Sequence, residues 1–205
     1  EQFDSFVFGL HSRFRSHSWN MFLLGEARSD VFGGTPFGGE ATQGMERFPY
    51  NTLNAENPGI SGFGDLYQNI NQMNLFISRT LHTDVLTESA KNYYLGQVYG
   101  LRAYYMYQLY RSWGDAVFTE EPSLGFEVGK LAKAATPAAE IFEQVKKDIE
   151  SSLSYFGPDY TIKEKKSLWS KAATLMLKAD VYLWSAHRDG GEGDARTAKN
   201  ALVEI

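Results

Sequence analysis

Aromatic and polar side chains crowd together in residues 35–51, where Phe37, Glu40, Thr42, Gln43, Arg47, Phe48, Tyr50 and Asn51 follow one another. That combination suits a sugar. Aromatic faces stack on the C–H side of a pyranose ring, while Arg, Asn, Gln and Glu bond its hydroxyls. A neutral saccharide needs both, because a buried hydroxyl without a partner is costly. Phe37, Gln43, Arg47, Phe48, Tyr50 and Asn51 are therefore the candidate ligand-binding residues, with Trp113 as an outlying aromatic. Trp113 and Trp169 fit a core or a partner-facing surface more readily than a sugar. A second reading of the stretch stays open, in which it only packs over neighbouring helices. Rings that project outward favour ligand, and rings that turn inward favour scaffold.

Patterns for catalysis are poor. His11, His17, His82 and His187 lack metalloprotease spacing, and no serine sits in a nucleophile elbow. Glu120 and Glu121 are adjacent, so an extended segment points them to opposite faces, whereas a glycosidase pair must flank one bond. Gly33-Gly34 and Gly38-Gly39 follow a helix and lack a phosphate-loop lysine. Asp189-Gly190-Gly191-Glu192-Gly193-Asp194 misses the alternating ligands of a calcium loop and reads as an acidic turn between helices. No catalytic residue, cofactor or metal site is expected.

The overall balance narrows the partners. A net charge of -5 argues against nucleic acid, whose binders need surplus Lys and Arg to displace counterions. The densest basic run, Lys163-Glu164-Lys165-Lys166, is short and interrupted by an acid. With no cysteine, disulfides and thiolate chemistry are excluded. No stretch approaches the roughly 20 apolar residues of a spanning helix. No signal peptide is evident either, so an exported protein would have its targeting segment removed or upstream. Aromatics make up 15% of the chain, enough for a core with rings left over for a surface.

Helices must position all of this. Phe6, Leu10, Phe14, Met21 and Leu24 suggest one long helix from residue 3 to about 28. From 29 to 64 periodicity fails, and glycines 33, 34, 38, 39, 44, 59, 62 and 64 fall there with Pro36, Pro49 and Pro58. Its aromatics favour a folded functional loop over a disordered linker. Leu66, Ile70, Met73, Ile77 and Leu81 then share one face. Thr87 caps the next helix, whose inner stripe is Leu95, Val98, Leu101, Tyr105 and Leu109, and Gly114-Asp115 ends it. Val117-Phe118-Thr119 suggests a brief extended piece. Thr136 caps and Pro137 opens a third helix with Phe142, Val145, Ile149, Leu153 and Phe156 inside, stopped by Gly157-Pro158. Ser167 opens a fourth, bearing Leu168, Ala172, Leu175, Ala179, Tyr182 and Ala186. A fifth runs from Ala195 to the end.

The expected fold is all-α: a tetratricopeptide-like helical repeat scaffold with a long Gly- and aromatic-rich loop insertion. Leu95-Gly96-Gln97-Val98-Tyr99 matches a fragment of that repeat. One domain covers residues 1–205, with the loop at 29–64 inside it, and the stop at Ile205 suggests C-terminal truncation. Arg102 lies next to an inner stripe, so it needs a partner, with Asp115 or Asp30 in reach. It reads as a structural ion pair, and Asn71 and Asn74 read as hydrogen bonders between helices.

Four blocks resemble the SusD/RagB family. They are Gly25-Glu26-Ala27-Arg28-Ser29-Asp30, then Leu66-Tyr67-Gln68-Asn69-Ile70-Asn71-Gln72-Met73-Asn74-Leu75-Phe76-Ile77, similar to its L-Y-x-x-I-N-x-x-N-x-x-I. The third runs from Gly96 through Leu101-Arg102-Ala103-Tyr104-Tyr105 to Gly114-Asp115. The fourth joins Lys171-Ala172-Ala173 to Ala179-Asp180-Val181-Tyr182-Leu183. Gln97 stands where the family usually has Glu, and Ala116-Val117 where it has Val-Pro. The resemblance implies the N-terminal portion of a surface-exposed outer-membrane lipoprotein without catalysis. Such a protein captures oligosaccharide or another nutrient and passes it to a SusC-like TonB-dependent transporter, held by a lipid anchor upstream of this chain. The alternatives are a tetratricopeptide-type scaffold that binds only protein, and a glycosidase or lyase, which would need two convergent carboxylates.

Overall fold

A computed structural model describes residues 1–29, 31, 47–54, 56, 64–125 and 132–205. Among them the fold is all-α and tetratricopeptide-like, with seven α-helices and one isolated bridge pair, Ala116 with Thr136. The chain forms two compact units, Ser12–Asp65 and the remainder, Glu1–His11 with Leu66–Ile205.

The first stretch is broken, not continuous as its periodicity suggests. It forms α1 (Gln2–Ser16), α2 (Ser18–Leu24) and a 3-10 turn, Glu26–Arg28. Ser16 Oγ donates to the Arg13 carbonyl at 2.7 Å, a back-bond that competes with the helix ladder and bends it. His17 sits at the junction without a side-chain cap. Gly25, at φ -119° and ψ -92°, ends α2.

The larger unit is built around α4 (Glu88–Trp113). Thr87 caps it as expected, its side chain accepting from the Ala90 N–H at 3.3 Å, and Gly114 closes it at φ 76°. Buried residues surround α4, as befits a central helix: Leu95, Gln97, Val98, Leu101, Arg102, Tyr105, Met106 and Leu109 among them. Its contacts fix how its neighbours run. Asn74 of α3 (Gly64–Leu81) meets Arg102, while Phe76 meets Tyr94. Along α5 (Ala138–Phe156), Phe142 meets Tyr110, Asp148 meets Arg102 and Ser152 meets the Gly96 carbonyl. Rising numbers on one helix pair with falling numbers on the other, so α3 and α5 run antiparallel to α4. The same test makes α6 (Lys171–Ser185) antiparallel to α5, through Ser152 with Thr174 and Glu150 with Lys178. The last helix, α7 (Gly191–Glu204), joins α6 in a cluster of Leu175, Ala179 and Ala201 with Leu153 against it.

Close approach explains two glycines. A Cβ on Gly96 would meet the Phe156 ring at 2.9 Å, and one on Gly100 would fall inside the Trp169 indole. Trp169 cannot easily retreat. Its Nε1–H donates to Thr174 Oγ1 at 2.8 Å, and its backbone N–H donates to buried His11 Nε2 at 2.8 Å.

Helix ends depart from the sequence expectation in three places. Thr136 does not cap α5: its backbone pairs with Ala116, and Asp115 Oδ1 instead accepts from the Ala138 N–H at 2.8 Å. Ser170, not Ser167, caps α6, accepting from the Ala173 N–H. The segment expected to be an acidic turn is helical: a π-turn, Ala186–Gly190, leads directly into α7. Asp194 folds back over Gly190 so closely that no Cβ fits there. The extended piece expected at Val117-Phe118-Thr119 reduces to the single bridge at Ala116.

Candidate functional site

In the smaller unit, residues 47–52 form a tight turn. The Asn51 N–H donates to the Phe48 carbonyl at 3.1 Å and the Thr52 N–H to the Arg47 carbonyl at 3.0 Å. Asn51 takes the left-handed conformation at φ 51°, which Asn tolerates better than most residues. Arg28 Nε donates to Asn51 Oδ1 at 3.1 Å and ties the turn to the end of the 3-10 segment. The anchor is Phe48. It is 5% exposed and packs with Leu23 and Ala27, with Phe22 and Leu53 against them.

The six loop candidates therefore separate. Phe37 and Gln43 lie outside the described residues, as does Asp30, one of the two partners expected for Arg102. Phe48 turns inward, so its ring holds the turn and offers no face to a ligand. Tyr50 turns outward at 49% exposure, with Asn51 exposed beside it and Arg47 half-buried. Phe48 is thus the inward ring of the turn and Tyr50 the outward one. Trp113, the last residue of α4, is half-buried and belongs to the other unit.

Trp19 was not among the candidates. It is 46% exposed and stacks on Phe22 at 5.3 Å and 27°, so it borders the cluster that Phe48 anchors. Nothing in an unbroken amphipathic helix singles it out. The Ser-His-Ser run at 16–18, which ends α1 one residue earlier, is the signal that could have.

Within the larger unit, the family-like residues converge on Arg102. Its partner is not Asp115 but Asp148, 46 positions away on α5. Arg102 Nε and Nη2 donate to the two Asp148 oxygens at 2.6 and 2.7 Å, and Nη1 donates to Asn74 Oδ1 at 2.9 Å. Gln144 Nε2 donates to Asp148 Oδ1 at 3.0 Å and to Glu120 Oε1 at 3.1 Å. Both charges are almost fully enclosed, Arg102 at 2% exposure and Asp148 at 1%. Burial pushes the Asp148 carboxyl above its ordinary range, and the Arg102 fork pulls against it. A bidentate, charge-assisted pair of this geometry stays ionised at neutral pH.

The same network holds the segment after α4. Asn74 Nδ2 donates to the Thr119 carbonyl at 2.6 Å. Asn71 exchanges two bonds with the Ser123 backbone, at 2.7 and 3.2 Å. Asn71 and Asn74 are structural, as their types and spacing suggest, but they clamp a loop more than they bridge helices. With its acid fully engaged, the Arg102 cluster offers no free carboxylate pair for hydrolysis.

A family described as starch-binding and associating with the outer membrane matches residues 46–183, from the turn through α6. The chain belongs to this SusD-like family. A SusD superfamily structure from Bacteroides vulgatus is 50% identical, with a TM-score of 0.88 over 98% of this chain and 41% of its own. The structure of B. fragilis NanU is 52% identical, with a TM-score of 0.89 over 100% of this chain and 40% of its own. A SusD-like protein of Formosa agariphila is 32% identical over 113 residues, 54% of this chain and 20% of that protein. The chain thus spans well under half the length of these SusD-like relatives.

Proposed function

We propose that this SusD-like chain captures glycan at the outer membrane without catalysis and delivers it to a SusC-like TonB-dependent transporter, as part of a lipid-anchored surface protein. The observation that carries this reading is the family match, whose span takes in the turn at residues 47–52. Phe48 fixes that turn from below, and Tyr50 and Asn51 stand outside it. An aromatic face beside an amide and a guanidinium gives a saccharide the two contacts it needs, stacking on its C–H surface and bonds to its hydroxyls. Trp19 extends the aromatic surface of the same unit.

Isothermal titration against soluble glucans and other neutral oligosaccharides tests the proposal. Binding by the wild type and at least about tenfold weaker binding by a folded Tyr50→Ala/Asn51→Ala variant are the expected results. Binding that ignores both substitutions removes the turn from the site. The second reading, a protein-binding repeat scaffold, draws support from the buried Phe48, and silence across the whole panel would favour it.

A further inference from the structure

A groove beside the Arg102 network has no part in the turn at residues 47–52. It is a shallow depression along α5 between α4 and α6, wide open to solvent, with room for about 520 Å³. Its floor is rigid. Arg102 holds buried Asp148, and Asp148 and Glu120 hold buried Gln144, so the floor is fixed before any ligand arrives.

The walls identify a ligand class by what they refuse. Lys146 is paired with Glu143 at 3.0 Å and Glu150 with Lys178 at 2.7 Å, so most of the charge along the groove is already neutralised. Among the described residues, the Lys147 ammonium and the Ser151 hydroxyl have no partner, and Glu120 uses only Oε1, leaving Oε2 open. No aliphatic side chain lines the groove to receive an apolar peptide anchor. The apolar surface comes from tyrosines whose rings are partly covered. Tyr99 stacks on Tyr155 at 5.6 Å with the Arg102 guanidinium 5.1 Å from its centre, and Tyr182 has Lys146 and Lys178 over it, so the rings offer edges more than open faces. Donors, acceptors and aromatic surface on an electrically balanced wall match a neutral, polyhydroxylated ligand.

We propose that this groove is a second saccharide-binding site, in which Lys147 and Ser151 donate to sugar hydroxyls and Glu120 Oε2 accepts from one. Its ligand class rests on the glycan-capture reading, while its position is independent of the turn at residues 47–52.

Amide chemical-shift mapping on the 15N-labelled protein separates the two. The probes are maltohexaose, laminarihexaose and mannohexaose at millimolar concentration, with hexagalacturonate as an anionic control. At least one neutral probe should shift the amides of residues 147–151, and hexagalacturonate should not. A Lys147→Ala/Ser151→Ala variant should weaken that binding about tenfold, with Tyr50→Ala/Asn51→Ala leaving it unchanged. Neither groove substitution touches the core, so both variants should fold. Shifts confined to residues 47–54 would overturn the groove and leave the first site standing. Groove shifts with a silent turn would support the groove and remove the turn. No neutral probe shifting 147–151, or binding indifferent to the groove variant, sinks this inference.

Discussion

Removing the Arg102 guanidinium strands the Asp148 carboxylate in a site it cannot leave, because α4 and α5 close over it. Truncating one partner of a buried ion pair typically costs about 3–5 kcal/mol, whereas replacing both with apolar groups is often close to neutral. Arg102→Met should therefore lower the unfolding free energy by an amount in that range, read from urea unfolding as the downward shift of the midpoint multiplied by the m-value. Arg102→Met/Asp148→Leu should recover most of the loss, less the bonds to Asn74 and Gln144. A double variant no better than the single would mean that the network, not the pair, carries the stability. The need for a partner was legible from the sequence, since a charge beside a core stripe demands one. The partner was not, because Asp148 comes within reach only through the register of α5 on α4. A similar limit applies to the turn, where Phe48 and Tyr50 are both aromatic and only two positions apart. Phe48→Ala should destabilise the smaller unit by about 3 kcal/mol. Tyr50→Ala should stay within ~0.5 kcal/mol, as surface substitutions usually do. Hydrogen exchange at Leu23 and Ala27 reads both, and equal effects would contradict the inward and outward placement.

Among the elements, α3 as far as Ile77, α4 and the body of α5 follow their apolar stripes, because a stripe of that period has only one buried solution, while Leu81 at the end of the α3 stripe is exposed. The ends were harder to read, since caps depend on which group arrives from elsewhere in the chain. Thr136-Pro137 has the form of a helix start, yet Thr136 spends its backbone on Ala116 and Asp115 reaches across from the end of α4 to serve Ala138. Losing a capping oxygen costs about 1 kcal/mol. Asp115→Ala should lower the melting temperature accordingly, and Thr136→Ala, whose side chain caps nothing, should cost less. The reverse order would restore the local cap. The break at His17 and the helical 186–194 segment were also misread. The two err in opposite directions: the polar run at 16–18 interrupts an apolar stripe that reads as continuous, while the polar run at 186–194 is absorbed into helix with Asp194 tucked against Gly190.

At the scale of the whole chain, the groups among the described residues whose titration the fold shifts differ in kind between the two units, so acid should not act on them together. In the smaller unit, burial pushes the His17 imidazole below its ordinary value, with Asp65 pulling it up and Arg13 pushing it further down. The folded form therefore prefers neutral His17. Its contribution is complete above the unfolded value of about 6.5 and is lost as pH falls from there toward the lowered folded value. In the larger unit the sensitive groups are carboxyls. The Tyr94 hydroxyl bond lowers Asp4, the Thr161 bonds lower Asp159, and the Tyr160 and Lys171 bonds lower Glu204. Depressed carboxyls stabilise the fold above their unfolded values near 4 and lose that stabilisation as pH falls through the folded ones. Asp148 acts with the opposite sign, because a raised carboxyl takes up its proton more readily in the folded state, so it does not drive acid unfolding. Hydrogen exchange at residues 12–24 should accelerate between neutral pH and about pH 5, while α4 and α5 stay protected until about pH 4 or below. His17→Gln should abolish the first change and leave the second untouched. A single acid transition shared by both units, unaffected by that substitution, would show that the two are coupled and that His17 does not set the order.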